Sequence, residues 1–187
     1  MRVYIAVIIV FLFVFLIFSK SVKAENIYFN NDLYILKQSK FSEINKGYEN
    51  YYFLEKESEN NWTKTLEILD YPEIKNPIKF AQNADKEIET KSGVILLKFI
   101  ANKKQNKAVL SFIDIGEANG KPYIEHNIYK YEPYKDKGMV ILRFAKRYFS
   151  NDKDEIAKIA HEIKNINDDL LEQIVISPTP QITEKEI

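Results

Sequence analysis

The C-terminal half of the sequence concentrates side chains that commonly make protein contacts. Tyrosine and arginine combine a large contact area with polar groups, and they are enriched at the centres of protein interfaces. Two predicted strands and the turn between them contain Tyr123, Tyr129, Tyr131, Tyr134, Arg143, Arg147 and Tyr148. These residues predict a binding surface. The alternative is that they are ordinary strand residues, because tyrosine is favoured in β-strands.

Histidine is the side chain best suited to proton transfer and metal binding near neutral pH, and the chain contains two. His126 follows Glu125 in a predicted strand, where successive side chains point to opposite faces. No further ligand stands at a spacing typical of a metal site. We therefore interpret His126 as a histidine on the sheet surface, and helical geometry turns His161 away from Ile163 towards solvent. We expect no bound metal and no cofactor.

Nucleophiles and carboxylates also lack a recognisable catalytic pattern. The serines stand outside the sequence contexts of known nucleophiles, and Ser150 precedes a predicted helix, where serine commonly caps the first turn. Glu55, Glu57 and Glu59 read as the solvated end of a strand, and Asp114 reads as a turn residue. An enzyme that uses carboxylates or His126 remains the alternative to a binding protein.

The first 24 residues predict a secretory leader. Arg2 precedes an apolar run from Val3 to Phe18, and Val22-Lys23-Ala24 follows with the small residues that a signal peptidase recognises. The run is shorter than the roughly 20 residues that span a bilayer comfortably. We expect cleavage after Ala24 and export to the periplasm or the medium. The alternative is an uncleaved anchor, which would make the protein a membrane-bound subunit of an envelope assembly.

Composition predicts one globular domain over residues 25–176. Removing the leader takes three basic and no acidic residues from a balanced set of 27 each, which leaves a net charge near −3. That balance gives no basic surface for nucleic acid, so membrane contact is expected only through the leader. The chain contains no cysteine, which excludes disulfides, thiolate metal sites and a lipidated cysteine.

Alternating and β-branched runs predict six to seven antiparallel strands. An early hairpin pairs the runs 33–36 and 51–54, and a half-buried strand covers Trp62 to Leu69. Four later strands are expected over 94–100, 108–115, 123–131 and 139–149, with the mostly apolar first of them at the centre of the sheet. Asn119-Gly120 is a strong signal for a tight turn.

Two helices are expected to cover this sheet. The first begins at Pro77 with Asn76 as its cap. The second begins after Ser150 or Asn151 and has an apolar stripe that consists of Ile156, Ile159, Ala160, Ile163, Ile166, Leu170 and Ile174. Residues 177–187 are polar and contain two prolines, so we expect a disordered tail. The fold class is therefore α+β, with the sheet and helices forming an α/β/α sandwich-like domain behind a signal helix.

The segment 60–68, with the sequence NNWTKTLEI, carries a resemblance to a known family. An Asn-Trp-Thr opening to a strand, followed by the helix from Pro77 and a closing C-terminal helix, resembles the PsbP/Mog1-like family of small α/β/α domains. The resemblance implies an extracytoplasmic accessory or binding role. It implies no shared active site.

Asn61-Trp62-Thr63 is also an acceptor triplet for N-glycosylation, with Glu59 two residues upstream. Asn61 is therefore a candidate for modification, and Trp62 at the start of a buried strand is the simpler interpretation of the same residues. Together the observations favour an exported bacterial envelope protein of accessory or binding type, which binds a protein or another envelope component and has no enzymatic activity.

Overall fold

The structure is a computed structural model that describes residues 26–118, 120–134 and 138–187. The predicted leader, residues 1–24, lies outside the described residues. So do Asn119 of the expected tight turn and Lys135 to Lys137 of the last turn.

The described residues form one antiparallel sheet and two helices, which confirms the α+β fold class. The sheet has eight strands rather than the expected six to seven. The bounds of the strands are β1 Ile27–Phe29, β2 Asp32–Ser42, β3 Gly47–Phe53, β4 Lys64–Tyr71, β5 Val94–Asn102, β6 Lys107–Ala118, β7 Lys121–Tyr134 and β8 Gly138–Phe149.

The strand order, β1-β2-β3-β4-β8-β7-β6-β5, divides the sheet into two meanders. Strands β1 to β4 pair successively, as do β5 to β8, because short turns favour antiparallel neighbours. The two meanders meet where β4 pairs with β8, with Glu67 opposite Arg143. Strand β5 therefore forms an edge of the sheet. Its apolar sequence led to the expectation of a central strand, but within the described part of the chain β5 pairs with β6 alone.

Helix α1, Pro77–Thr90, follows β4 and begins as the sequence predicts. The Asn76 side chain accepts a hydrogen bond from the Lys79 N–H at 3.0 Å, and proline occupies the first turn. Ala81 on its apolar face is fully buried against the sheet. This packing places α1 over β5, β6 and β7.

Helix α2, Lys153–Ile176, differs from expectation in its cap and its buried stripe. Asp152 caps it by accepting from the Asp154 N–H at 2.8 Å, in place of the expected Ser150 or Asn151. Ile166 of the expected stripe is 39% exposed. Asn167 is buried instead, because polar groups on the sheet lie opposite it.

The helices lie on opposite faces of the sheet. One apolar cluster joins Ala81 of α1 to Leu110, Tyr131 and Ile141, which alternate onto the first face. The other joins α2 and Ile182 to the opposite face. In β4, Leu66 and Ile68 are buried on the second face and Thr65 and Glu67 on the first, so four consecutive residues are buried where half-burial was expected.

Residues 177–187 lie against the second face and make hydrogen bonds to the sheet, where the sequence predicts disorder. Ile182 is buried, and the Thr183 N–H donates to Asn50 Oδ1 at 2.6 Å. The contacts come from β2, β3 and β7, more than a hundred residues away for β2 and β3, so local composition does not reveal them. Among the described residues, no helix is long and apolar enough to cross a membrane.

Candidate functional site

Five of the seven residues in the predicted binding surface share one face of the sheet. Tyr123, Tyr129 and Tyr131 alternate along β7, and Arg143 and Arg147 alternate along the neighbouring β8. The register places Tyr129 directly opposite Arg143. The α1 side of the sheet therefore brings these five side chains together.

The other two tyrosines point to the α2 side. Tyr148 packs with the apolar cluster around Ile163, and its ring lies 4.3 Å from Lys146 Nζ. The Tyr134 hydroxyl accepts a hydrogen bond from the Ile182 N–H at 3.4 Å. These two residues are separated from the other five by the sheet itself.

An ionic network on the α1 side, which we term the arginine cluster, consists of Glu67, Glu125, Asn127, Arg143 and Arg147. Arg143 donates from Nη1 to Glu67 Oε1 at 2.5 Å and from Nη2 to Glu125 Oε1 at 2.7 Å. Its Nε and Nη2 also donate to Asn127 Oδ1 at 3.1 and 2.9 Å. Arg147 Nε donates to Glu125 Oε2 at 2.7 Å. The cluster spans β4, β8 and β7 and contains two charges of each sign.

The electrostatics of the cluster hold Arg143 in its charged form. Burial by itself lowers the pKa of Arg143, but Tyr129, Glu67 and Glu125 outweigh burial, so the pKa lies above its ordinary value. Burial raises the pKa of Tyr129 to about 12, against the opposing effect of Arg143. Both groups therefore keep their neutral-pH protonation states, and neither is a proton donor or acceptor poised near pH 7.

Aromatic rings form a rim at one end of the cluster, which we define as Trp62, Tyr123 and Phe149. The Arg147 guanidinium carbon lies 3.7 Å from the centroid of Trp62 and 4.5 Å from that of Tyr123. Phe149 meets Tyr123 edge to face with centroids 6.2 Å apart, and Phe149 is 42% exposed. A stacked guanidinium beside an exposed ring is an arrangement typical of interface anchors.

Sequence reasoning did not place Trp62 or Phe149 in the surface. A signal for Phe149 was present, because the period of two along β8 puts it on the same face as Arg147. Trp62 carried no such signal, since its approach to Arg147 depends on the pairing of β4 with β8.

Tyr129 and Tyr131 belong to the packed end of the same face. Tyr129 stacks on Phe112 and on Tyr131, with ring centroids 5.6 and 6.1 Å apart. Tyr131 is 3% exposed and lies 6.2 Å from the ring of Phe80 in α1. Tyr131 is therefore excluded from the accessible surface, whereas Tyr129, like Tyr123, is half-buried.

His126 occupies the opposite face and is completely buried, so its interpretation as a sheet-surface histidine is wrong. It forms a polar cluster with Ser111 of β6 and Asn167 of α2, which we term the neutral cluster. His126 Nε2 lies 3.0 Å from Asn167 Oδ1 and 3.3 Å from Ser111 Oγ, and Ser111 Oγ donates to Asn167 Oδ1 at 2.5 Å. The reason for the burial is α2, which covers this face of β6 and β7.

The neutral cluster differs from a nucleophilic triad. In a triad the third residue orients the histidine through the nitrogen that faces away from the nucleophile. Here Asn167 and Ser111 share Nε2, and the buried Nδ1 atom of His126 has no hydrogen-bond partner in the part of the chain that the structure describes. Burial lowers the pKa of His126 to about 4, with a hydrogen bond to Asn167 opposing and Lys146 adding to the shift. His126 is therefore neutral at physiological pH.

The remaining candidates have local partners. Asp114 accepts from Lys91 Nζ at 3.4 Å, and Glu57 accepts from the Thr63 hydroxyl at 2.5 Å. His161 is exposed on α2, in agreement with the helical geometry. Asn61 is exposed in a turn, where its Oδ1 accepts from the Ser58 N–H at 2.7 Å. No group of three or more histidine or carboxylate side chains among residues 26–118, 120–134 and 138–187 could hold a metal ion.

The fold and the arginine cluster define an α+β domain with an ionic and aromatic surface on one face of an antiparallel sheet. Residues 22–178 match one protein-family model, and the chain belongs to that family. The comparison with curated proteins yields no match.

Two solved structures share a weak similarity with this chain. They are a mutant of protein Mog1 and the Saccharomyces cerevisiae Ran-binding protein Mog1p, with TM-scores of 0.38 and 0.39. Sequence identity is 11% in each case, over 68% of this chain and 76% of the other. At this level the likeness carries no inference about function.

Proposed function

We propose that the protein is an exported, non-enzymatic binding protein of the bacterial cell envelope, and that a partner protein binds at the rim of the arginine cluster. The leader-like residues 1–24 support export to the periplasm or the medium. The single observation that carries the binding role is the stacking of Arg147 between Trp62 and Tyr123 beside the exposed Phe149.

The rim is suited to a partner because its side chains are already held in place. Arg147 is fixed by Glu125 at 2.7 Å as well as by the two rings, so little side-chain entropy is lost on binding. Phe149 adds apolar area that a partner can bury. The charges of the cluster cancel, which favours a partner surface that matches in shape and hydrogen bonding over one of strong charge.

Membership of the PsbP/Mog1-like family is part of this proposal and rests on residues 60–68 and on the order of the elements. Members of that family have the accessory or binding roles that we assign to this chain. Glycosylation at Asn61 is a further part, supported by the exposure of Asn61 in a turn. No enzymatic role is proposed, because His126 is sealed beneath α2 and Asp114 is paired with Lys91.

The experiment is site-specific photocrosslinking in intact bacterial cells. Phe149 is replaced by benzoylphenylalanine, and the matched control carries the same replacement at Ile44, which is 94% exposed between β2 and β3. We expect one major protein adduct from position 149 and not from position 44. Adding Arg147→Glu should abolish this adduct, because it reverses the charge between the two rings.

Identical adducts from positions 149 and 44 would contradict binding at the rim. The mass of the mature protein from the same cells tests export separately. An N-terminus at Glu25 supports cleavage after Ala24, whereas an intact leader supports the alternative of a membrane-anchored subunit.

A further inference from the structure

The last eleven residues, Ser177–Ile187, form an extended segment across the second face of the sheet, which we term the strap. Its main chain is held chiefly by side chains of the sheet. Asn50 donates from Nδ2 to the Thr183 carbonyl at 3.0 Å and accepts from the Thr183 N–H at 2.6 Å. Ser39 Oγ donates to the same carbonyl at 2.8 Å. Both polar groups of one peptide residue are thus recognised independently of its side chain.

The groups that hold the strap are built into the interior of the sheet. Asn50 is 0% and Ser39 is 1% exposed, and Asn50 Nδ2 also donates to Ser39 Oγ at 2.9 Å. A buried amide that loses its partners costs substantial free energy. Removal of the strap would cost Asn50 its two hydrogen bonds to Thr183, so these side chains favour an extended main chain in this position.

One apolar side chain anchors the strap beside this clamp. Ile182 is 9% exposed and belongs to the same apolar cluster as Leu66 and Leu142. Further along, the Ile187 N–H donates to the Ser39 carbonyl at 3.0 Å. The seat therefore recognises an aliphatic residue followed by a residue whose backbone N–H can donate a hydrogen bond to Asn50, which excludes proline at that position.

The strap does not fill its seat. A cavity of about 360 Å³ lies between strap residues 177–181 and strand β1, with Leu66 and Leu142 at its base. The groove is consequently wider than the segment that occupies it, and a bulkier extended segment has room there.

We propose that this groove is a binding site for an extended segment of another polypeptide, and that the strap is a resident occupant which such a segment displaces. The incoming segment carries an aliphatic residue directly before the residue that Asn50 clamps. This site lies on the face opposite the arginine cluster, so it is independent of the partner site proposed above. Displacement preserves the hydrogen bonds of Asn50 and Ser39, whereas simple opening would not.

The test uses the full chain and a fluorescent peptide with the sequence of residues 177–187. The strap variant carries Ile182→Ala, which shortens the anchor, and Thr183→Pro, which removes the N–H that donates to Asn50 Oδ1. We expect this variant to bind the peptide at least about tenfold more tightly than the unmodified chain, whose own strap competes at a high effective concentration.

Peptide variants identify the mode of binding. A peptide with Thr183→Pro should lose binding, and one with Lys185→Gln should retain it, because Lys185 is exposed. The proposal would be overturned if the folded strap variant does not bind the unmodified peptide. It would also be overturned if the variant binds the Thr183→Pro peptide as tightly as the unmodified one.

If the strap variant does not fold, hydrogen exchange on the unmodified chain tests whether the strap can leave its seat. Displacement requires that the strap opens while the sheet stays intact. We expect the amides of Thr183 and Ile187 to exchange at least about a hundredfold faster than those of central strand β8. Exchange of both sets only through global unfolding would show that the strap is a permanent part of the domain.

Discussion

The arginine cluster and the neutral cluster lie on opposite faces of the sheet, with β7 contributing to both, and place polar groups against the sheet in different ways. In the first, two arginines and two carboxylates neutralise one another, and the side chains of Arg143 and Arg147 remain 16% and 20% exposed. In the second, Ser111, His126 and Asn167 are uncharged and sealed beneath α2.

This difference determines what each region tolerates. In the arginine cluster the positive and negative charges compensate one another, so protonation of a residue outside the cluster changes its stability little. Loss of one charged member leaves another charge unpaired. The neutral cluster contains no charge, so it tolerates substitution by apolar groups better than it tolerates a proton. The first cluster is also partly exposed to solvent, whereas the second is enclosed beneath α2.

The largest effect is expected from Arg143→Leu. This change leaves Glu67 and Glu125 without the guanidinium that joins them, and breaking a buried pair in this way costs about 3–5 kcal/mol of unfolding free energy. Urea denaturation of both proteins measures the difference. As a control, combining Arg143→Leu with Glu67→Leu should restore most of the loss, because Glu125 keeps its pair with Arg147 and no charge is left uncompensated. A loss below about 1 kcal/mol in the single variant would place the pair in the weak class of surface ion pairs.

Acidification should destabilise the protein through His126. The unfolded chain protonates this residue near pH 6.5, whereas the native pKa lies at about 4. Between these values the unfolded state binds more protons, so stability falls as pH decreases through this window, by about 3 kcal/mol in total. His126→Leu should remove this component while leaving that of the carboxylates. Urea unfolding at several pH values compares the two proteins, and parallel profiles would contradict the prediction.

Asn167→Ala should have a smaller effect that does not depend on pH above neutrality. The change removes the acceptor for Ser111 Oγ and the partner of His126 Nε2, and loss of such buried partners costs about 1–3 kcal/mol. The triple variant Ser111→Ala, His126→Leu, Asn167→Leu serves as the control. It should regain stability because no polar group remains unsatisfied. If the triple variant is less stable than Asn167→Ala, then packing and not hydrogen bonding dominates this cluster.

The smallest effect is expected outside both clusters, at Asp114→Asn. Its carboxylate lies 3.4 Å from Lys91 Nζ, and 61% of the Lys91 side chain is exposed. Solvent screening limits such pairs to less than about 0.5 kcal/mol. Thermal and urea unfolding should therefore be almost unchanged, and this variant provides the reference against which the cluster variants are judged.

Sequence reasoning reached the features of this fold that are encoded locally. The cap at Asn76 and the hairpin between β2 and β3 depend on residues close together in the chain, and both are confirmed. Along β8, Val140, Leu142 and Phe144 are buried and Arg143 is half-buried, a pattern that also follows from residues close together in the chain.

The features that sequence reasoning missed are those set by distant contacts. Burial of His126 depends on Asn167, 41 residues away, and the position of β5 at an edge depends on which strand β4 accepts as its neighbour. The ordered conformation of the strap depends on Asn50, which is 133 residues from Thr183 in the sequence. A polar, proline-containing segment has no local tendency to be ordered, so only the complete fold reveals its seat.

The pairing of β4 with β8 also has a consequence for the order of folding. Glu67 and Arg143 are 76 residues apart, whereas each meander can form through short turns alone. Closing so long a loop costs more entropy than closing a hairpin turn, so we expect the junction to form after the two meanders. During synthesis β4 emerges well before β8, and until then its outer edge is an unpaired template for other chains. The central pair of the sheet is thus the last to close, and the time before closure is the period in which the protein is most exposed to aggregation.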